Sequence, residues 1–153
     1  MKKVLALILA VCMMAVMTGC VFSASQTLTY NVDNGDSIKV KLKTSEGLSM
    51  DAESPFSIYK DGEVITQGTF INSSSYGEYY EVVTSGEAEL LEENTKDGIE
   101  YIFWKYDAGD WQEYNYAILV SGTNTGLLLA NSTSEESARE VFDSLTRNPM
   151  YLN

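Results

Sequence analysis

The sequence predicts an α+β domain, an antiparallel sheet of about 6–8 strands packed by a C-terminal amphipathic helix. Two patterns lead to this class. Apolar and polar residues alternate with period two in run after run, and the runs are separated by turn dipeptides such as Asn34-Gly35 and Asp61-Gly62. One late segment switches to helical period: Ala138, Val141, Phe142 and Leu145 fall at i, i+3, i+4 and i+7. Beyond residue 27 there is no internal repeat or low-complexity tract to divide the chain, so residues 27–153 are read as one domain.

The first strands follow from alternation. Leu28, Tyr30 and Val32 alternate with Thr27, Thr29 and Asn31, and Ile38, Val40 and Leu42 alternate with Lys39, Lys41 and Lys43. Asn34-Gly35 between them is a strong hairpin signal. A polar loop is expected from Thr44 to Pro55. Phe56 to Lys60 and Glu63 to Asn72 then form a second pair around Asp61-Gly62.

Ser73 to Gly86 supports two readings. Tyr76, Tyr79, Tyr80 and Val83 recur at helical spacing and Gly86 would end a second short helix; an irregular loop fits nearly as well. Ala88 to Asn94 reads as a carboxylate-rich strand. Ile99 to Tyr106, Trp111 to Val120 and Gly126 to Asn131 follow as strands. Thr133 and Glu136 form a capping box for the last helix, and Pro149 stops it.

The N-terminus has a different character. Lys2 and Lys3 precede an apolar run from Val4 to Val16, which ends in Met17-Thr18-Gly19-Cys20. A basic start, a short apolar core and small residues at the end describe an export signal, with an uncleaved anchor helix extended to Phe22 and an ordinary secretion signal as the alternatives. This segment resembles the signal of bacterial lipoproteins, with Gly19 before the cysteine and Met17 where leucine is common. The resemblance implies cleavage after residue 19 and a lipid-bearing Cys20 as the mature N-terminus. The protein would then be anchored by acyl chains on the extracytoplasmic face of a cell membrane or outer membrane, its partner the bilayer itself. Residues 20–26 would be the lipidated cysteine and a linker reaching about 20 Å at most.

Charge and cysteine content narrow the function classes. The chain has 22 acidic and 10 basic residues, a net charge of −12. Loss of residues 1–19 would remove Lys2 and Lys3 and no acid, giving −14. Such a balance argues against nucleic acid and against electrostatic attachment to anionic lipid. Cys12 and Cys20 are the only cysteines and there is no histidine, which excludes Ser-His-Asp and Cys-His nucleophilic sites and histidine-ligated zinc. Neither a cofactor nor a metal is expected. Asp33, Asp36, Asp107 and Asp110 read as turn residues, and Glu87, Glu89, Glu92 and Glu93 as a solvated strand face. Lys39, Lys41 and Lys43 form the one basic stripe, either solvated, guarding an edge, or touching lipid phosphates near the tether.

The best candidate surface is the aromatic hairpin around Ala108-Gly109. A two-residue loop there would set Phe103 opposite Tyr114, Tyr101 opposite Tyr116 and Ile99 opposite Ile118 on a core face. The other face would carry Tyr106 opposite Trp111 and Trp104 opposite Glu113. These four residues are either sheet packing beneath a helix or a ligand platform, with rings for stacking and carboxylates for hydrogen bonds.

The order of elements over Phe56 to Leu145, helical segments flanking a central antiparallel sheet, resembles the PsbP/Mog1-type architecture. That resemblance implies binding or assembly without catalysis. The expected function is therefore a membrane-anchored lipoprotein that binds a protein or saccharide. A small carboxylate-dependent envelope hydrolase and an acidic, inhibitor-like module for a basic protein are the alternatives.

Overall fold

A computed structural model of the chain describes residues 24–96, 98–146 and 151–152. The expected export signal, Cys20 and Pro149 lie outside them. Ten strands and two helices follow in order: β1 (Ser25–Asn31), β2 (Ser37–Lys43), β3 (Leu48–Met50), β4 (Phe56–Lys60), β5 (Glu63–Asn72), α1 (Ser73–Thr84), β6 (Glu89–Lys96), β7 (Ile99–Asp107), β8 (Gln112–Leu119), β9 (Thr125–Asn131), α2 (Glu135–Thr146) and β10 (Tyr151–Leu152). The class is α+β with a β-rich core. Seven antiparallel strands make the main sheet in the order β3-β4-β5-β9-β8-β7-β6, and β1-β2-β10 make a smaller one.

The molecule is built in layers. Helix α2 and the inner face of the small sheet cover one side of the main sheet. Ile38, Val40 and Leu42 of β2 join Ala138, Val141, Phe142 and Leu145 of α2 in a cluster with Tyr101, Phe103, Tyr116, Ile118, Leu127 and Leu129. Aromatic rings stack through its centre: Tyr116 lies between Phe103 (4.1 Å) and Phe142 (4.2 Å). Helix α1 covers the other side, where Tyr76 and Val83 pack on Ile102, Trp104 and Ala117.

Several expectations are corrected in detail. The first domain strand starts at Ser25, not Thr27, because Gln26 clips β1 to β3: its side-chain amide donates to Met50 O (2.8 Å) and its Oε1 accepts from Met50 N (2.9 Å). The polar loop after Lys43 contains the short strand β3, whose Leu48 and Met50 are buried with Ser49 exposed. The last helix is capped by Ser134, not Thr133; Ser134 Oγ accepts from Ser137 N at 3.1 Å. Of the two readings of 73–86, the helix is the observed one. Asn72 ends β5 and caps α1 directly, its side chain accepting from Ser75 N at 2.7 Å.

The aromatic hairpin differs in register. Asp107 faces Gln112, Phe103 faces Tyr116, Trp104 faces Asn115 and Tyr106 faces Glu113. The loop is four residues, 108–111, rather than two. Asp107 holds it, accepting from Gly109 N (2.9 Å) and the Gln112 amide (2.9 Å), while Ala108 N donates to Trp111 O (3.0 Å). The Gly109 N–H, then the Gln112 amide, keep the Asp107 carboxyl below the usual carboxylate range. Because the register moved by two residues, every side chain kept its expected face.

Candidate functional site

The face of β7 and β8 beneath α1 is arranged in rows across the sheet. Ile102, Ala117 and Leu128 form one row, Trp104, Asn115 and Ala130 the next, and Tyr106 and Glu113 the last. Helix α1 covers the first row and stops near the second, since it ends at Thr84 and the chain turns away through Gly86. The remaining rows floor a groove of about 320 Å³, walled by Tyr79, Val82 and Val83 of the helix and by Glu87 and Ala88 beyond it.

The four aromatic-hairpin candidates take different places in this groove. Trp104 is 6% exposed and stacks on Tyr79, the ring centroids 5.7 Å apart. It is a floor under the helix, not part of an open platform. Tyr106 is 45% exposed and borders the groove, with Glu113 partly exposed across the strand pair. Trp111 is half exposed at the hairpin tip, outside the groove lining but 5.8 Å from the Tyr106 ring. The expected pairing of Tyr106 with Trp111 as cross-strand neighbours is replaced by a tip contact, and Glu113 pairs with Tyr106 instead of Trp104.

Asn115 is the residue that sequence reading missed. It is 5% exposed and lines the groove floor. Among the described residues its side-chain amide has no hydrogen-bond partner, in contrast to Asn131, the other buried asparagine. Asn131 donates to Thr66 Oγ1 (2.8 Å) and Ser137 Oγ (3.0 Å), and accepts from Thr133 N (2.9 Å). Among the described residues no fully enclosed side-chain polar atom lacks a partner, so the Asn115 amide must reach the groove. An amide open to a mostly apolar groove keeps its donors and acceptor available to water or to a ligand. The only sequence signal was its polar identity in a run of aromatics, and the expected register placed it opposite Ile102.

The chain matches no protein-family model and no curated protein. The site is therefore read from its own geometry.

Two of the other carboxylates have structural roles. Glu92 is not simply solvated: it accepts from the Tyr101 hydroxyl, and Arg139 Nη1 donates to it at 2.7 Å. These bonds, Tyr101 first, lower its carboxyl from the ordinary value. Burial and the same contact push the Tyr101 hydroxyl up to about 12. Asp36 accepts from the Thr125 hydroxyl (2.6 Å), tying the first hairpin's loop to β9. Among the described residues no group of three acidic side chains is placed to hold a metal ion.

Proposed function

We propose that this chain is an extracytoplasmic lipoprotein, anchored through Cys20, whose domain binds a saccharide in the groove between α1 and the β7–β8 hairpin. The observation that carries the binding role is Asn115, whose unpartnered amide lies in the groove floor between Trp104 and Ala130. Tyr106 offers a ring face for stacking, and Glu113, Glu87 and the Asn115 amide offer the few directed hydrogen bonds that fix an oriented ligand in a mostly apolar site. A helix on each face of the central sheet is in keeping with the PsbP/Mog1-type resemblance and its non-catalytic implication.

Titration of the purified chain with envelope glycan fragments, followed by tryptophan fluorescence and calorimetry, tests the binding role. Saturable binding that Tyr106→Ala and Asn115→Leu weaken at least ten-fold, roughly 1.4 kcal/mol, is the expected result. Equal affinity in both variants would sink it. Metabolic labelling with a tagged fatty acid tests the anchor: label lost in Cys20→Ala supports it, and label retained rejects it.

A second reading, a glycan hydrolase, draws on Glu87 and Glu113 lining one groove. Product release that stops in both Glu87→Gln and Glu113→Gln while binding persists would favour it over the binding module.

A further inference from the structure

Among the described residues, the basic side chains of this acidic chain divide into two groups. Lys60 pairs with Glu140 (2.6 Å), Lys96 with Asp143, Lys105 with Asp107 (3.5 Å), and Arg139 with Glu92 and Glu135 (2.7 and 2.9 Å). Lys41 and Lys43, by contrast, pair with no carboxylate among the described residues. They stand with Lys39 on the outer face of β2, whose inner face is wholly buried. The three ammonium groups project from alternate residues, so the row is about 13 Å long.

On the β1 side the three lysines meet no opposing charge. Their cross-strand partners on β1 are Ser25, Thr27 and Thr29. Neither β1 nor β2 contains an acid. Near the Lys43 end lie Glu46, Glu140 and Asp143, of which Glu140 and Asp143 are already held by Lys60 and Lys96. Carboxylates elsewhere on the domain are screened beyond about 8 Å at physiological salt. Net charge therefore does not decide how this one face meets a surface.

The position of the tether supplies the occupant. Ser25 opens β1 only five residues after Cys20 and pairs with Lys43. That stretch reaches about 17 Å at full extension. A lipid at Cys20 would hold the lysine row beside the headgroups.

We infer that the outer face of β1 and β2 docks on anionic phospholipid headgroups through Lys41 and Lys43, at the tether end of the row. This rests on the membrane-anchored reading above. The small sheet and α1 lie on opposite sides of the main sheet, so docking turns the Tyr106–Asn115 groove away from the bilayer. Each lysine near an anionic surface is expected to raise the docked-to-free ratio about five-fold.

The test reconstitutes the full chain in phosphatidylcholine vesicles with or without about one third phosphatidylglycerol. An amine-reactive reagent and peptide mass spectrometry then read each lysine. Lys41 and Lys43 are expected to react several-fold more slowly in the anionic vesicles, with Lys60 and Lys105 unchanged and the protection lost in high salt. Equal reactivity in both vesicle types overturns the docking face. Protection by a soluble anionic polymer that anionic vesicles fail to match overturns the lipid as occupant. The mass of the Cys20 peptide reports lipidation separately, so a missing acyl group rejects the anchor without being mistaken for failure of the lysine face.

Discussion

Arg139 reaches from the closing helix to Glu92 on the edge strand β6, with Nη1 2.7 Å from the carboxylate, and its guanidinium lies 4.6 Å from the centre of the Phe103 ring. The contact ties α2 to the outermost strand of the main sheet. Because the Tyr101 and Arg139 bonds lower the folded-state pKa of Glu92, their contribution is present above the ordinary carboxylate range. It is lost as pH falls through the lowered folded value. Glu92→Gln is expected to cost about 1 kcal/mol at neutral pH. Urea unfolding at a series of pH values should show that difference shrinking as acid protonates the wild-type carboxyl.

The tryptophan and tyrosine positions should separate fold from binding. Trp104→Ala empties a packed site beneath Tyr79 and is expected to destabilise by about 3–5 kcal/mol. Tyr106→Ala and Trp111→Ala remove half-exposed rings and should stay within about 0.5 kcal/mol of the parent. Thermal melts by circular dichroism measure both. A large loss in the Tyr106 variant would mean that its ring supports the sheet and is not free for a ligand.

Asn115 gives the opposite signature. Since no protein group uses its amide, Asn115→Leu should leave stability unchanged or raise it by about 1 kcal/mol. Ligand affinity should fall in the same variant. Paired melts and titrations would show whether stability and binding move in opposite directions, and a destabilised variant would count against the groove.

Gly68 is set by packing and not by backbone freedom. It lies directly opposite Phe56 on β4, and the Phe56 ring occupies the space a Cβ would need. Gly68→Ala is expected to cost about 1–3 kcal/mol through overpacking, read as a lowered denaturation midpoint. Gly68→Ala combined with Phe56→Leu should recover part of the loss.

Period-two alternation was a sufficient guide wherever one strand face meets the core. It placed Tyr101, Phe103, Tyr116 and Ile118 on the buried side even though the loop length was misjudged by two residues. Loop length was not legible because the Asp107 side chain replaces a tight backbone turn, and that is a tertiary arrangement of Gly109 and Gln112. The strand β3 was hidden by its length of three residues. The tyrosines at 76, 79 and 80 showed a helical stripe, but only the sheet they cover makes that stripe a helix. The groove itself was half legible: the aromatic residues pointed to the region, whereas the place where α1 ends, which leaves Asn115 open, belongs to no local pattern.

The bulge in β6, between Leu90 and Glu92, has a consequence for how copies of this protein can coexist. Strands β3 and β6 are the two borders of the main sheet, one only three residues long and the other kinked and studded with glutamates. A straight backbone ladder, which a neighbouring molecule would need to add a strand, is missing at both borders. Many copies can thus be crowded onto a small area without joining one main sheet to the next through these two borders.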